Sequence, residues 1–365
     1  MDSSVFSSIS DYRVTGRCKY RLDDLLSVAV LTHLCGGGTP SDMHVFAATR
    51  AREFGLFSDT DGTPSADTFE RLVSALSPDA LERCVVDSGK DLLDTLREKQ
   101  VVIDGKKLRG TSPKSKGAKG NYLMNAFVSE NHLLVAQEPL TDKDNEIKAI
   151  PRILEKLDIE EAVVSIDAIG TQVDIAEQIL VQKGHYFLAV KENQRSLHEA
   201  VKDAFRYNAP AGTASEMESD HGRIENRTCD ILPADLIEDK DVLARWPSLK
   251  TLARIKSEVY RDGQDIVTYR YYISDEDFPR AAYYNMLARG HWSIENQLHW
   301  HLDVTFKEDA SRSRKGFAAQ NLSLLKKLAL QIARNHDDKL SIRKRLFRAA
   351  LDSKYLMRML LNYKF

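Results

Sequence analysis

Hydrophobic residues recur every three or four positions along the first part of the chain and again along its last third, a spacing that predicts helices. Leu22, Leu25 and Leu26 open one such stretch, which three consecutive glycines at 36–38 interrupt. Further helices are predicted at 43–54, at 67–76, from Ser77 onward, at 283–306 and at 318–335. The short N-terminal helices fit either a helix-turn-helix DNA reader or a small packing bundle, and their sequence does not separate the two.

From residue 101 the pattern changes to short apolar runs bounded by polar turns, which predicts strands. The predicted strands cover 101–103, 122–129, 133–138, 162–166 and 186–190. Helices are predicted at 146–157 and at 171–183, the second ending at Gly184 as its C-cap. Three strands in a meander, followed by helix, strand, helix and strand, is the order of the ribonuclease H-like fold, so the predicted fold class is α/β.

Alternating apolar and polar residues return at 228–232, 251–260 and 266–274. This period of two predicts a β-rich insertion after the fifth strand. Four regions are therefore expected: an N-terminal helical region (1–98), a ribonuclease H-like core (99–205), the β-rich insertion (206–280) and a C-terminal helical region with a basic tail (281–365).

Three acidic residues occupy positions that this fold would bring together. Asp104 and Asp167 follow the predicted first and fourth strands, which lie side by side in a ribonuclease H-like core, and Glu295 lies on a later helix. Carboxylate oxygens suit Mg²⁺ or Mn²⁺, and two such ions can activate an attacking hydroxyl while stabilising the leaving oxygen. The sequence thus predicts a divalent-metal site for hydrolysing or joining phosphodiester bonds. A lone aspartate at a strand end is more often a turn former, so the prediction depends on all three acids.

The net charge of −2 conceals an uneven distribution. Residues 304–365 contain 15 Lys and Arg against 5 Asp and Glu. A second basic block, without an acidic residue from Gly105 to Gly120, contains Lys106, Lys107, Arg109, Lys114, Lys116 and Lys119. Charge segregated in this way makes local anion-binding surfaces and favours a polyanion partner, although each block alone is compatible with a solvated face.

Composition narrows the class of protein. With 42% hydrophobic and 29% charged residues, the chain is expected to be a soluble globular protein with a full core. No apolar run reaches the ~20 residues of a membrane span, and MDSSVFSSIS lacks the features of a signal peptide. Four scattered cysteines without a CxxC pair support neither a disulfide framework nor a structural zinc site. A cytoplasmic location is therefore expected.

Seven sequence strings, spread over nearly the whole chain, carry a family resemblance. They are DGKKLRG at Asp104, DNEIKAIP at Asp144, IDAIGTQ at Asp167, FLAVKENQ at Phe187, HGRIE at His221, RYYIS at Arg270 and HWSIENQLHWHLDVTFKEDASRSRKG at His291. With them the chain resembles the H-repeat-associated (Rhs-linked) family of insertion-sequence transposases. The resemblance implies a ribonuclease H-like fold and a DDE triad formed by Asp104, Asp167 and Glu295.

The same resemblance implies a reaction, cofactors and partners. It implies DNA transposition, a form of DNA recombination, in which hydrolysis at the element ends frees 3′-hydroxyls that then attack target DNA. Two Mg²⁺ or Mn²⁺ ions are implied, with Asp104 bridging them, Asp167 on one and Glu295 on the other. The implied partners are double-stranded terminal inverted repeats and target DNA, bound by at least a homodimer that would associate with the nucleoid.

Polar residues near the acids are candidates for binding DNA: Lys106, Lys107, Arg109, Lys191, Asn193, Gln194, Arg289, Arg312, Arg314 and Lys315. Those after Asp104 would otherwise form a solvated loop, and those at 191–194 would otherwise cap the helix beginning near Ser196. Trp292 and Asn296 flank the catalytic glutamate. Trp292 would otherwise be a core residue, and Asn296 could orient a metal-bound water.

This sequence departs in one respect from the pattern of related transposases. In the wider group of insertion-sequence transposases, Tyr, Arg and Lys commonly stand seven before, four before and seven after the catalytic Glu. Here those places hold Ala288, His291 and Leu302, and Arg289 is the nearest cation. The sequence therefore does not identify the cation that accompanies Glu295.

Other functions fit parts of the sequence. A nuclease with the same fold would cut DNA without strand transfer, and a domesticated relic would only bind DNA, although the intact acids argue against decay. His291, Glu295 and His299 share a helix face and could bind zinc, but they lack the HExxH order of a zinc peptidase. Three further acids are rivals for the third catalytic position: Asp303, Glu308 and Asp309.

Overall fold

The structure is a computed structural model that describes residues 5–14, 16–58, 60, 62–89, 92–112, 120–140, 145–220, 223–261, 264–363 and 365. Lys114, Lys116 and Lys119 of the second basic block lie outside these residues, as do Asp144 and His221. The described α-helices are α1 (Leu22–Leu34), α2 (Pro40–Thr49), α3 (Ala66–Ala75), α4 (Pro78–Ser88), α5 (Glu146–Glu155), α6 (Val173–Val181), α7 (Arg195–Tyr207), α8 (Lys240–Arg245), α9 (Ala281–His291), α10 (Ala318–Arg334), α11 (Ile342–Leu351) and α12 (Ser353–Tyr363).

The strands of the described residues form one mixed sheet. They are β1 (Gln100–Lys107), β2 (Tyr122–Val128), β3 (Leu133–Leu140), β4 (Val163–Ile166), β5 (His185–Val190), β6 (Gly212–Asp220), β7 (Arg223–Pro233), β8 (Thr251–Arg261) and β9 (Gln264–Ser274). Their order across the sheet is β3-β2-β1-β4-β5-β9-β8-β7-β6. β1, β4 and β5 run parallel, and every other neighbouring pair is antiparallel. Because β9 pairs with β5, the predicted insertion continues the sheet of the core.

Helices cover both faces of the central strands, which explains why these strands are apolar on both sides. On β1, Val101 and Ile103 pack in one core with residues of α5 and α6. Val102 points to the opposite face, as the pleat requires, and joins the core that contains α10. On that second face α9 packs over β4 and β5, where Tyr284 and Leu287 are buried with Val163.

The N-terminal helices share a hydrophobic core with the C-terminal helices. α1 is buried along almost its whole length and contacts α10. Leu324, Leu325 and Leu328 of α10 are fully buried in the same core. The packing that the second interpretation predicts is therefore present, and the DNA-reading interpretation stays a prediction.

Most predicted elements are present, and the differences have local reasons. β6 was not predicted because GTASEMESD contains few apolar residues, and it pairs only at the edge of the sheet. The helix predicted at 43–54 is interrupted, with α2 giving way to a 3₁₀ turn at Ala51–Phe54. The predicted C-cap role of Gly184 is wrong, because α6 ends at Val181 and Lys183 takes the positive φ of 60°.

Neither disulfides nor membrane spans contribute to the described structure. All four cysteines are free thiols. Within the described ranges, no helix combines the length and the apolar character needed to cross a bilayer. The fold is held together by its hydrophobic cores and by the sheet.

Candidate active site

Asp104 and Asp167 lie next to each other's strands at one edge of the paired region. β1 and β4 are paired up to Ile103 and Ile166, so each aspartate is the next residue along the chain after the last paired position. β4 ends there, whereas β1 continues, because β2 still pairs with it and Asn125 stands opposite Asp104. The predicted adjacency of the first and fourth strands is confirmed. The prediction that Asp104 follows its strand is wrong, since it lies within β1.

α9 docks against β1 and β4 through buried polar contacts and so positions the segment that carries Glu295. Gln100 Nε2 on β1 donates to Leu287 O of α9 (2.7 Å) and to Ser165 Oγ of β4 (2.9 Å). The same Ser165 Oγ lies 3.2 Å from His291 Nδ1 at the end of α9. Buried polar groups that are paired in this way fix the relative position of helix and sheet.

Beyond α9 the backbone forms two π-helical segments, Ile294–His299 and His301–Thr305, rather than the continuous helix predicted over 283–306. π-helical turns are rare and occur frequently at functional sites. In the first segment Glu295 Oε2 and His299 Nδ1 approach to 3.1 Å. The irregular turn therefore holds the predicted catalytic glutamate beside a histidine.

Asp104, Glu295 and His299 form a compact group of potential metal ligands. One ligand atom from each lies within 4.8 Å of the other two. His299 Nδ1 is 3.6 Å from Asp104 Oδ2. Asp167 is not in this group, and its Oδ1 accepts a hydrogen bond from Lys191 Nζ at 3.0 Å. The structure thus gathers two of the three predicted acids and sets the third directly after the adjoining strand.

The two acids of this group have opposite pKa shifts. Burial raises the pKa of Asp104 to about 6, and the charges of Glu146 and Asp167 act in the same direction, although His299 opposes them. The hydrogen bond from His299 lowers the pKa of Glu295, which is more exposed. A buried carboxylate beside other carboxylates is stabilised in its charged form by a nearby cation. The site therefore favours a bound cation.

Glu146 is a fourth acid near the site, at the start of α5. The phenol of Tyr122 donates a hydrogen bond to it. The ring of Tyr122 lies so close to Gly105 that a Cβ there would come within 2.4 Å of the ring. Burial and the Glu146 contact raise the pKa of Tyr122 above its usual range. Gly105 therefore leaves the space beside Asp104 that this ring occupies.

The residues at 191–194 hold the loop that follows Asp167. Burial alone would raise the pKa of Asp167, but the next backbone N–H and the Lys191 ammonium lower it below its usual value. Asn193 and Gln194 side chains donate to carbonyl oxygens of that loop at 2.6 and 2.9 Å. The alternative in which these residues cap the next helix is wrong, because α7 has no side-chain cap.

Two adjoining cavities open beside Trp292. One of about 630 Å³ is lined by Asp167, and one of about 360 Å³ is lined by Glu295 and Asn296. Arg270 and Trp292 line both, and the guanidinium lies over the indole ring, 4.7 Å from its centroid. Trp292 is 43% exposed, so it is not the core residue of the alternative interpretation.

The two arginines near Glu295, Arg289 and Arg270, differ in the contacts that their side chains make. Arg289, the nearest in sequence, donates to Glu218 Oε2 at 2.7 Å. Among the described residues Arg270 has no hydrogen bond or ion pair, and its contact is the indole ring of Trp292. Arg270 on β9 is thus a cation that faces the space between Asp167 and Glu295 without a carboxylate partner.

The predicted DNA-binding residues after Asp104 and before α10 also differ from one another in burial and pairing. Lys106 is buried, and its Nζ binds Asp303 Oδ2 at 2.6 Å. It is therefore unavailable to a phosphate in this structure. The others of this group are exposed: Lys107, Arg109, Arg312, Arg314 and Lys315.

The loop after β1 contacts the segment before α10, so the two basic stretches are adjacent. Arg109 Nε lies 3.5 Å from Asp309 Oδ2. Arg314 donates to the carbonyl oxygen of Gly110 at 3.2 Å. These contacts join exposed cations from distant parts of the chain into one surface.

Gly110→Ala is expected to lower the free energy of unfolding by about 1–3 kcal/mol, because overpacking a closed contact is destabilising. A Cβ at Gly110 would lie 2.3 Å from Ser311 O and 2.5 Å from Asp309 O, and backbone atoms cannot rotate away. Urea denaturation measures the change. Gly38→Ala is the control, since a Cβ there meets no atom within 4 Å. Equal midpoints for the two variants would contradict the contact.

The zinc alternative is not supported. His291 is buried against Ser165, and burial lowers its pKa to about 4. Only Glu295 and His299 of that proposed trio belong to the compact ligand group. Asp303, a rival acid, is instead paired with a lysine.

Three residues of the site were not assigned from the sequence. His299 has a signal in the sequence, its spacing of four from Glu295, but that spacing indicates only the zinc alternative. Glu146 and Arg270 lie in the family-like strings DNEIKAIP and RYYIS, but those strings do not show that tertiary contacts bring both residues to the site.

Comparison with known proteins identifies the class. Residues 95–332 match a family model described as "Transposase DDE domain". Residues 3–87 match a second model, described as "DDE_Tnp_1-associated". The chain belongs to the DDE transposase family, and the resemblance read from its motifs is confirmed.

Similar proteins include "H repeat-associated putative transposase YhhI" of Escherichia coli (strain K12), 34% identical over 96% of this chain and 95% of that protein. "Putative transposase YncI" of Escherichia coli O157:H7 is 34% identical over 96% of this chain and 92% of its own length. Among solved structures, a piggyBac transposase synaptic complex with hairpin DNA matches 98% of this chain and 80% of that chain, with a TM-score of 0.45 and 12% identity.

Proposed function

We propose that this chain cleaves DNA at the ends of an insertion sequence and transfers the freed 3′-hydroxyls into target DNA, with Asp104, Asp167 and Glu295 as its catalytic acids. The observation that carries the proposal is the meeting of Asp104 and Glu295, 191 positions apart in the chain, within one group of potential metal ligands. Asp167 follows the strand that is paired directly with the strand of Asp104.

We also propose that strands β1 to β5 are a ribonuclease H-like core. The order β3-β2-β1-β4-β5, antiparallel in its first three strands and parallel afterwards, supports this. In the proposed division, 1–98 is the N-terminal helical region, 99–205 the core, 206–280 the insertion and 281–365 the C-terminal region. The N-terminal region packs on the C-terminal helices, which supports a structural role for it.

Asp104, Asp167 and Glu295 would hold two divalent ions, Mg²⁺ or Mn²⁺, with Asp104 shared between them. The donor set fits such ions because it offers carboxylate oxygens, two of the acids have ligand atoms within 4.8 Å, and burial, together with the charges of Glu146 and Asp167, raises the pKa of Asp104. When bound, the ions would activate the attacking hydroxyl and stabilise the leaving oxygen.

The protein's own groups orient the acids for this chemistry. Lys191 and the residues at 193–194 hold the loop of Asp167. His299 holds Glu295 beside Asp104. Asn296 lines the cavity next to Glu295, where its amide can orient a water molecule. Preorganised acids avoid reorganisation cost during the reaction.

The proposed DNA surface surrounds the two cavities and continues over the exposed basic residues. It comprises Lys107, Arg109, Lys191, Asn193, Gln194, Arg270, Arg289, Arg312, Arg314 and Lys315. We exclude Lys106 because it is buried and paired. Arg270 is added because it faces both cavities without a carboxylate partner, and it is our candidate for the cation that accompanies Glu295.

Arg270→Gln is expected to weaken binding of an element-end duplex about tenfold. The slope of log K against log[NaCl] should fall in magnitude by about one, which corresponds to the loss of one phosphate contact. The reason is loss of a cation beside the scissile region. Fluorescence anisotropy over a NaCl series measures both. Arg245→Gln, an exposed arginine at the end of α8 away from these cavities, is the matched control. Equal affinities and slopes for both variants would remove Arg270 from the surface.

Labelled duplexes carrying the inverted repeats that flank the gene, incubated with Mn²⁺ and supercoiled plasmid, test the function. Transposition predicts both end cleavage and products joined to the plasmid. Cleavage without joining would indicate a nuclease, and binding without cleavage a DNA-binding relic. Light scattering of the bound complex would test the proposed homodimer, and cell fractionation the proposed cytoplasmic, nucleoid-associated location.

A further inference from the structure

His299 is placed to contribute a nitrogen ligand to the proposed metal site. Its Nδ1 lies 3.1 Å from Glu295 Oε2 and 3.6 Å from Asp104 Oδ2. Ligands at ~2.1 Å from one ion have donor atoms at most ~4.2 Å apart. The three donor atoms, all within 4.8 Å of one another, need only small side-chain rotations to meet that limit.

The imidazole of His299 is buried and has its polar contacts on one side only. The side chain of His299 is 4% exposed, and its Nε2 is buried without a hydrogen-bond partner among the described residues. Its polar contacts are therefore made through Nδ1, toward the two acids. A neutral imidazole in this position either donates an Nδ1–H to the carboxylates or, with its proton on Nε2, offers the Nδ1 lone pair to a metal ion.

The two neighbouring lysines are bonded to acids outside this group. The ammonium of Lys106, on the strand of Asp104, is bonded to Asp303. Lys191 is bonded to Asp167. The compact group of Asp104, Glu295 and His299 thus presents three convergent potential ligand atoms, and neither of these lysines is bonded to it.

We propose that His299 Nδ1 is a direct ligand of the ion held by Asp104 and Glu295, so that one of the two metal positions is built from two carboxylates and one imidazole. This inference rests on the proposed function. An imidazole nitrogen suits Mn²⁺ and later transition metals better than Mg²⁺, which prefers oxygen ligands. The site should therefore bind Mn²⁺ distinctly more tightly than Mg²⁺, and that preference should depend on His299.

The decisive measurement is pulsed electron paramagnetic resonance of Mn²⁺ bound to the full-length protein. Direct ligation predicts ¹⁴N coupling from one imidazole in the wild type and its loss in His299→Gln. The apparent Mn²⁺ dissociation constant of the variant should rise at least about tenfold, with a smaller rise for Mg²⁺. His301→Gln, whose histidine contacts Thr305 instead of the acids, should retain both coupling and affinity.

The outcomes separate this inference from the function on which it rests. Bound Mn²⁺ without ¹⁴N coupling in the wild type would overturn the ligand assignment and leave His299 as a hydrogen-bond partner of Glu295. If Asp104→Asn still removed Mn²⁺ binding, the proposed metal site would stand despite that result. If the wild type and Asp104→Asn bound Mn²⁺ alike, the proposed metal site itself would fail. The wild-type spectrum decides the question even if His299→Gln does not fold.

Discussion

Asp104→Asn is expected to reduce end cleavage by a factor of about 10³ or more. The carboxamide keeps the size of the side chain but removes the negative charge that faces Glu295 and His299 in the ligand group. Single-turnover cleavage of a labelled end duplex with Mn²⁺ measures the loss. Asp174→Asn, an exposed acid in the first turn of α6, is the matched control and should cleave normally.

Glu295→Gln provides a second test of the same assignment. If Asp104 and Glu295 hold one ion, either substitution alone should cost about as much as both together, because residues that act as a unit give non-additive losses. Additive losses would indicate two independent roles. Cleavage by Asp104→Asn at the wild-type rate would refute the proposed triad.

The core of the fold was predictable because its signals are local. The buried runs of β1, β4 and β5 are apolar on both faces, and α5 has a clear inward stripe through Ile150 and Ile153. Both patterns, the continuous apolar run of a strand covered on both faces and the 3.6-residue period of a helix, are visible within a single stretch of sequence. Once the fold is predicted, its strand order places β1 beside β4 and so brings Asp104 close to Asp167.

The rest of the site depends on contacts between distant segments, which leave little trace in a sequence. Glu146 approaches Asp104 because Tyr122 reaches it from another strand. Arg270 comes from β9, which joins the core only through the pairing of β9 with β5. The π-helical turn at 294–299 has no recognised sequence signal, so the exact placement of His299 beside Asp104 could not be derived from helical spacing alone.

Asp104→Asn is also expected to stabilise the metal-free protein. The pKa of Asp104 is raised from 3.8 to about 6 in the folded state. The folded carboxyl therefore binds its proton more tightly than the unfolded one, and wild-type stability falls as pH rises from about 4 to about 6. The pKa difference corresponds to about 3 kcal/mol. Since the side chain is 32% exposed, we expect a gain of about 1–2 kcal/mol at pH 7.5. Urea denaturation in EDTA measures it.

Asp167→Asn should have the opposite sign, which makes it the control for this argument. The pKa of Asp167 is lowered, with Lys191 and a backbone N–H favouring the charged form, so asparagine there removes stability that is present above pH 4. The gain from Asp104→Asn should shrink as pH falls from 7 to 5, and added Mn²⁺ should cancel it by stabilising only the wild type. A gain independent of pH and Mn²⁺ would mean that ordinary packing, rather than unneutralised charge, determines the stability of this site. If the dependence is observed, the protein gives up stability at Asp104 to keep a carboxylate where a cation is needed.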